Sequence, residues 1–249
     1  MDWGEKICYK EIEGFRKIIM LIYKVKILKI NSLNANIKSF LVEKPLRYRF
    51  IPGQAVDFAI DLPEWKDQIR PFSIASLNSE ANLEFIIKIY RDIIGVTKKL
   101  DELKSGEKLL ISDAFGEIKY KGPGIFIAGG TGITPFIAIL RQLKKDSELK
   151  SNSLIFSNKT EKDIFLKSEI DEMSKEGLNV LYTLTRETNL SKQQILMYEN
   201  KRIDELFLKE KIKDFKQYFY VCGPIRFVGE ISYILGKLGA DPDKIVVES

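Results

Sequence analysis

The chain has 249 residues, of which 45% are hydrophobic and 30% charged, the balance of a globular protein large enough for one big domain or two of ordinary size. Forty Lys and Arg against 35 Asp and Glu give a net charge of +5, a mild excess spread along the chain. It does not read as a nucleic-acid footprint, though it favours an acidic protein partner or an anionic cofactor. The absence of histidine excludes Ser-His-Asp and Cys-His catalysis and every His-bearing metal site. Cys8 and Cys222, the only cysteines, cannot hold a four-cysteine iron–sulfur cluster or a Cys-only zinc, so no metal is expected. A disulfide framework is not expected either, and a reducing, cytoplasmic compartment is the default. Redox chemistry must then come from a bound organic cofactor.

In chain order, residues 1–19 read as an N-terminal extension. The apolar run Ile18–Tyr23 is far short of the roughly 20 residues of a membrane span and too short for a secretory signal. From Leu21 to Ile27 a mostly period-2 alternation predicts a strand. Further strands are predicted at Ile37–Val42, Ala55–Ile60, Phe72–Ala75, Leu83–Tyr90 and Lys108–Ser112, with turn signals at Pro52-Gly53 and Gly106. A short helix near Gly95 carries Leu100 and Leu103 on one side. Many short strands of this kind predict a small antiparallel barrel or sandwich.

The period then changes. The turn-rich Lys121-Gly122-Pro123-Gly124 separates a domain at 20–121 from one at 122–249. Gly124–Ala128 reads as a buried strand, followed by Gly129-Gly130-Thr131-Gly132-Ile133-Thr134-Pro135 and a helix with Phe136, Ile137, Leu140 and Leu143 on one face. Strand Ser153–Ser157, helix Asp163–Lys175, strands Asn179–Leu184 and Tyr218–Cys222, a helix through Phe227–Leu238 and strand Ile245–Val247 complete the series. Alternating strands and helices predict a doubly wound parallel sheet.

Three features carry chemistry. The glycine run from Gly130 to Pro135 stands where a strand turns into a helix. Glycines there allow a tight turn and close approach to an anion, and the helix start offers free N–H groups. Arg70-Pro71-Phe72-Ser73 is followed on the next strand by Lys88 and Tyr90, which share a face, and then by Gly95-Val96-Thr97 at the head of a helix. Cations beside a helix start suit a phosphate. Lys159, after one strand, and Thr185-Arg186, after the next, bring two cations and a hydroxyl to strand ends, with no acidic residue at Thr185.

Arg70-Pro71-Phe72-Ser73, Gly95-Val96-Thr97, Gly130 to Pro135 and Cys222-Gly223-Pro224 occur in order over roughly Met20 to Glu248. As a set they resemble the ferredoxin–NADP reductase-like flavoprotein family, with bacterial flavodoxin or ferredoxin reductase-like and cytochrome-reductase-like members nearest in tone. The resemblance implies a six-stranded antiparallel FAD-binding barrel followed by a nicotinamide-nucleotide domain. It implies that Arg70 pairs with the FAD pyrophosphate, that Phe72 packs on the flavin in place of the usual tyrosine, and that Ser73 lies near flavin N5. Ile86 and Lys88 would line the flavin-facing strand, Val96-Thr97 would cap the pyrophosphate, and Thr134 would lie where the domains meet the flavin. Thr131-Gly132-Ile133 would hold the nicotinamide cofactor's pyrophosphate, with Cys222 facing its ring. Thr185-Arg186 match the place where NADP-using relatives hold Ser-Arg and, with Lys159, would meet a 2′-phosphate. Hydride would then pass from NADPH, favoured over NADH, to the flavin, with Ser73, Cys222 and Glu248 tuning the contact. Electrons would then leave for a separate acceptor, expected to be ferredoxin or flavodoxin. The alternatives are a free-flavin or ferric-chelate reductase, a non-catalytic electron-transfer subunit, and a flavin-based redox sensor. Relatives commonly end in Glu-x-aromatic, whereas this sequence reads Glu248-Ser249.

Overall fold

The computed structural model describes residues 23–188, 191 and 197–248. The extension at 1–19, Cys8, the first residues of the Leu21 strand and Ser249 lie outside them. By contacts the chain divides into two units, one ending at Gly116 and the other starting at Glu117.

The first unit is built from strands β1 (Tyr23–Ser32), β2 (Ile37–Glu43), β3 (Ala55–Ile60), β4 (Arg70–Ser73), β5 (Asn82–Lys88) and β6 (Lys108–Ile111), with one helix, α1 (Val96–Glu102). Alternation sets which side faces in. In β1, Val25 and Ile27 are buried while Lys26 and Leu28 point out. The strands pair antiparallel in the order β4-β3-β6-β1-β2-β5. A bridge between Ile74 and Phe85 joins the two ends, so the sheet closes on itself. Phe40, Phe58 and Phe85 are fully buried inside, and Val96, Leu100 and Leu103 bring α1 onto the same core.

The second unit contains β7 (Gly124–Gly129), α2 (Thr134–Lys145), β8 (Ser153–Asn158), α3 (Lys167–Lys175), β9 (Asn179–Leu184), β10 (Tyr198–Glu199), α4 (Glu205–Lys211), β11 (Tyr218–Cys222), α5 (Ile225–Lys237) and β12 (Ile245–Val247). All its strands are parallel, in the order β10-β9-β8-β7-β11-β12. The order reverses at β7, which has β8 on one side and β11 on the other. Every residue of β7 is buried, as expected of a central parallel strand. At its entry the Tyr220 hydroxyl accepts from the Lys121 and Gly122 amides at 2.9 and 3.1 Å and donates to the Gly122 carbonyl at 2.8 Å. Tyr220 also stacks on Phe126, with centroids 4.4 Å apart.

Several predicted boundaries move, each for a local reason. β4 ends at Ser73, not Ala75: the Ile74 amide still reaches Gln54, but Ile74 also bridges Phe85 and the Ala75 amide turns to Glu84. β5 stops at Lys88: the Ile89 amide still reaches Asn36, next in register after Ile37, but the Tyr90 amide turns away to Thr97. The helix predicted from Asp163 starts at Lys167. A capping box between Thr160 and Asp163 closes a separate 3₁₀ turn, and Leu166 at φ 57° interrupts the helical run. β10 and α4 were not anticipated. The first is only two residues long, too short for a period to register; the second does carry a start signal, Asp204, whose carboxylate accepts from the Phe207 amide at 2.8 Å.

Candidate functional site

In the first unit the predicted residues lie on β4, on β5 and at the start of α1. Arg70 opens β4 with an exposed side chain; its guanidinium donates to the neighbouring Ile69 carbonyl at 2.7 Å and meets no carboxylate among the described residues. Pro71 is exposed opposite Asp57, and Ser73 is half-buried opposite Ala55. Phe72 is half-buried, its ring edge-on to Phe58 at 5.2 Å, so one side is anchored to the core. On β5, Leu83, Phe85 and Ile87 point into the core, which puts Ile86 and Lys88 on the opposite face. The Lys88 ammonium lies 5.1 Å over the Tyr90 ring, and the Tyr90 amide donates to the Thr97 hydroxyl at 3.4 Å. Lys88, Tyr90 and Thr97 therefore come together. Gly95 leads into α1 without a side-chain cap, and a Cβ there would meet nothing within 4 Å. Val96 is buried and fixes the turn. Arg70 and Lys88 supply cations and Gly95 supplies open backbone, the chemistry that suits an anionic dinucleotide.

In the second unit, β7 passes through a 3₁₀ turn, Gly130–Ile133, straight into α2. Its glycines do different jobs. A Cβ on Gly132 would fall 2.2 Å from the Cys222 carbonyl oxygen, so only glycine lets this turn lie against the end of β11. Gly129 sits under Pro224 and Phe227, and Gly223 is pressed between Phe227 and Gly129. Gly130, at φ 55°, faces open space. Three glycines thus serve backbone packing and one leaves room for a ligand, a division the bare pattern did not reveal. Two motifs some 90 residues apart interlock at the carboxyl ends of β7 and β11, the strand-order reversal where ligands bind doubly wound sheets. The Thr134 hydroxyl closes the turn by donating to the Thr131 carbonyl at 2.9 Å. Pro135 stands in the first turn of α2, whose N-terminal N–H groups have no side-chain cap.

Cys222 ends β11 in register with Ala128 and is 8% exposed. Burial pushes its thiol up to about 12, and the nearby Glu248 charge adds to the effect, against a smaller opposing contribution from the Gly223 backbone. Glu248 follows β12. Its side chain reaches solvent, yet the protein around it desolvates the carboxyl and raises its pKa. Cys222 and Glu248 are neighbours, and the thiol carries its proton across the physiological range.

Further along the same carboxyl edge, the loops after β8 and β9 are tied together. The Thr185 amide donates to the Asn158 carbonyl at 2.9 Å and the Arg186 amide to the Lys159 carbonyl at 2.8 Å. Both Lys159 and Arg186 are exposed, and neither side chain has a partner among the described residues. Thr185, half-buried, donates its hydroxyl to the Asn158 carbonyl at 3.3 Å. Asn158, which was not among the predicted site residues, is buried with its side-chain nitrogen unpaired, as is the Thr183 hydroxyl. Buried polar groups without partners are uncommon, and here they border free cations, an arrangement that fits a polar, phosphorylated ligand. The signal for Asn158 was its place just before Lys159 at a strand end. No group of metal-ligating side chains occurs among the described residues, and no helix there is long and apolar enough to cross a membrane.

Two family models match in succession, the oxidoreductase FAD-binding domain over residues 24–120 and the oxidoreductase NAD-binding domain over 126–232. NADH-cytochrome b5 reductase 2 of Mycosarcoma maydis is 28% identical over 221 residues, covering 77% of this chain and 60% of that protein. The human protein of the same name is 31% identical over 145 residues, covering 45% and 52%. The chain thus spans about half to three fifths of the length of these relatives. Among solved structures, the CS-b5R domains of human Ncb5or in their NAD+ form superpose with a TM-score of 0.80 at 23% identity, over 94% of this chain and 71% of that one. A Neisseria gonorrhoeae ferredoxin NADP+ reductase with bound FAD and NADP gives 0.75 at 21% identity, over 88% and 92%. These likenesses agree in fold with the closed antiparallel unit and the doubly wound unit described above. An FAD-binding oxidoreductase domain followed by an NAD-binding oxidoreductase domain places this chain in the ferredoxin–NADP reductase-like flavoprotein family.

Proposed function

We propose that the chain is an NAD(P)H-dependent flavoprotein reductase that prefers NADPH and passes electrons to a separate protein acceptor. The observation that carries this reading is the carboxyl edge of the second unit. There the interlocked Gly132 and Cys222-Gly223 backbones leave room at Gly130, on the same edge as the unpaired cations Lys159 and Arg186.

When bound, the flavin supplies the conversion between two-electron hydride chemistry and one-electron transfer. What the chain's own residues do follows from their placement. Arg70 and Lys88 neutralise diphosphate charge, the Gly95–Thr97 turn supplies open backbone, and Phe72 offers an apolar surface backed by Phe58. The uncapped start of α2 receives the diphosphate of the nicotinamide nucleotide, with Thr134 holding the turn rigid. Arg186 and Lys159 take the 2′-phosphate, and Thr185 presents no carboxylate to repel it. Cys222, a neutral thiol, acts by shape and polarity rather than by moving a proton.

The names of the relatives favour a b5-type haem protein over ferredoxin or flavodoxin as acceptor. The +5 net charge suits any of these if acidic. Anaerobic titration of the purified yellow protein with NADPH and with NADH tests the central claim. Faster bleaching by NADPH is the expected result; bleaching by neither would overturn the reductase reading. Reduced protein mixed with cytochrome b5, ferredoxin or flavodoxin then ranks the acceptors.

A further inference from the structure

The two cations assigned to the 2′-phosphate sit on different loops, and something must keep those loops in one arrangement. Backbone hydrogen bonds from Thr185 to Asn158 and from Arg186 to Lys159 join them at their roots. Beyond the roots a side chain takes over. The Glu187 carboxylate reaches across and accepts the Glu161 amide at 3.0 Å, just past Lys159-Thr160. That amide belongs to the first residue of the 3₁₀ turn Glu161–Asp163, at whose start the backbone N–H groups lack partners within the turn. Other contacts hold the same turn from the far side. Asp163 accepts from the Thr160 amide at 2.9 Å and from its hydroxyl at 2.8 Å, and the Tyr198 hydroxyl donates to Glu161 at 2.6 Å. On its own loop, the Glu187 carbonyl accepts from Asn200 at 3.0 Å. Glu187 is thus anchored through its backbone and clamps the neighbouring loop through its side chain.

We infer that Glu187 is a positioning residue for nucleotide selection: by clamping the Glu161 turn, it fixes Lys159 beside Arg186, so that both cations meet the phosphate on the ribose. This rests on the proposed 2′-phosphate reading of Lys159 and Arg186. Without the clamp, the loop carrying Lys159 keeps its backbone bonds at the root but loses its definition further out. The attraction for a phosphate monoester then carries an ordering cost on each binding event. A nucleotide lacking that phosphate never used the cation pair and does not feel the loss. A negative side chain so close to a phosphate site is otherwise a liability, which its engagement by an amide offsets.

The test uses the full chain loaded with FAD and compares Glu187→Ala, Glu187→Gln and Arg186→Ala. Glutamine keeps an oxygen able to accept the Glu161 amide; alanine does not. In Glu187→Ala the KM ratio of NADPH to NADH, measured with ferricyanide as acceptor, is expected to rise about tenfold, the scale of one lost charge-assisted hydrogen bond. Calorimetric affinity for 2′,5′-ADP should fall by a similar factor while that for 5′-AMP holds. Hydrogen exchange at the Glu161 amide should accelerate in the alanine variant. Glu187→Gln should restore all three readouts to near the original values. If Arg186→Ala loses selectivity but Glu187→Ala does not, the positioning role is overturned and the 2′-phosphate reading stands. Should neither variant change selectivity, the 2′-phosphate reading falls, and the positioning role with it. A glutamine variant as impaired as the alanine one would mean that the carboxylate charge, not the hydrogen bond, is what matters, and would also overturn the inference.

Discussion

The two units present ligand-binding residues in opposite ways. On the barrel they are side chains at strand ends: Lys88 stands on the face of β5 away from Phe85, and Arg70, in register with core Phe58, is exposed at the start of β4. In the parallel-sheet unit the site is largely backbone, and the glycines that shape it are the contacts by which two strand ends meet. Fold and site are separable in the first unit and fused in the second.

That contrast can be broken at its strongest point by Gly132→Ala. A methyl group 2.2 Å from the Cys222 carbonyl oxygen has nowhere to go, because what it strikes is backbone. Thermal unfolding should show a loss of about 3 kcal/mol or more, with NADPH affinity lost alongside. A variant of normal stability and normal affinity would show that the strand ends are not locked together. Cys222 sharpens the comparison through pH. An unfolded thiol ionises above about pH 8.5, whereas the folded one keeps its proton up to about 12. The unfolded state therefore binds fewer protons in that window, and stability falls as pH rises through it. Relative to Cys222→Ala, the natural chain should be penalised by up to about 2 kcal/mol at pH 10 and not at all at pH 7. Denaturant titrations at both pH values measure the difference; an equal difference at pH 7 and 10 would place the thiol in contact with water. The smallest effect on stability belongs to Arg70→Ala, within about 0.5 kcal/mol, since the side chain is exposed and unpaired by any carboxylate. Its effect on flavin is large. The variant should lose FAD on gel filtration, and full occupancy would remove Arg70 from the site.

How far the sequence could be read follows from the same contrast. Strands such as Ala55–Ile60, Asn179–Leu184 and Tyr218–Cys222 were legible to the residue, because alternation or an unbroken apolar run bounded by polar residues is a local signal. The ends of β4 and β5 were not, since a change of hydrogen-bonding partner decides them and the partner lies elsewhere in the chain. The position of the glycine run was equally legible, but not the role of each glycine: Gly132 and Gly130 look alike in sequence and differ only in what stands opposite. Asn158 carried no signal beyond its place at a strand end, and no pattern marked the Glu187 clamp, which exists because the parallel sheet sets the end of β8 beside the end of β9.

The Tyr220 hydroxyl clamp on Lys121 and Gly122 carries a consequence for synthesis. The clamp joins residues 98 positions apart, and β7 is wholly apolar and central in its sheet. On a ribosome adding roughly 5–20 residues each second, β7 is made about 5–20 s before the strand and the hydroxyl that complete it. During that interval one of its edges lacks its final neighbour. The nascent chain is therefore most open to chaperone capture or wrong pairing after β7 has emerged and before β11 arrives, and slow codons placed between them would lengthen the exposure.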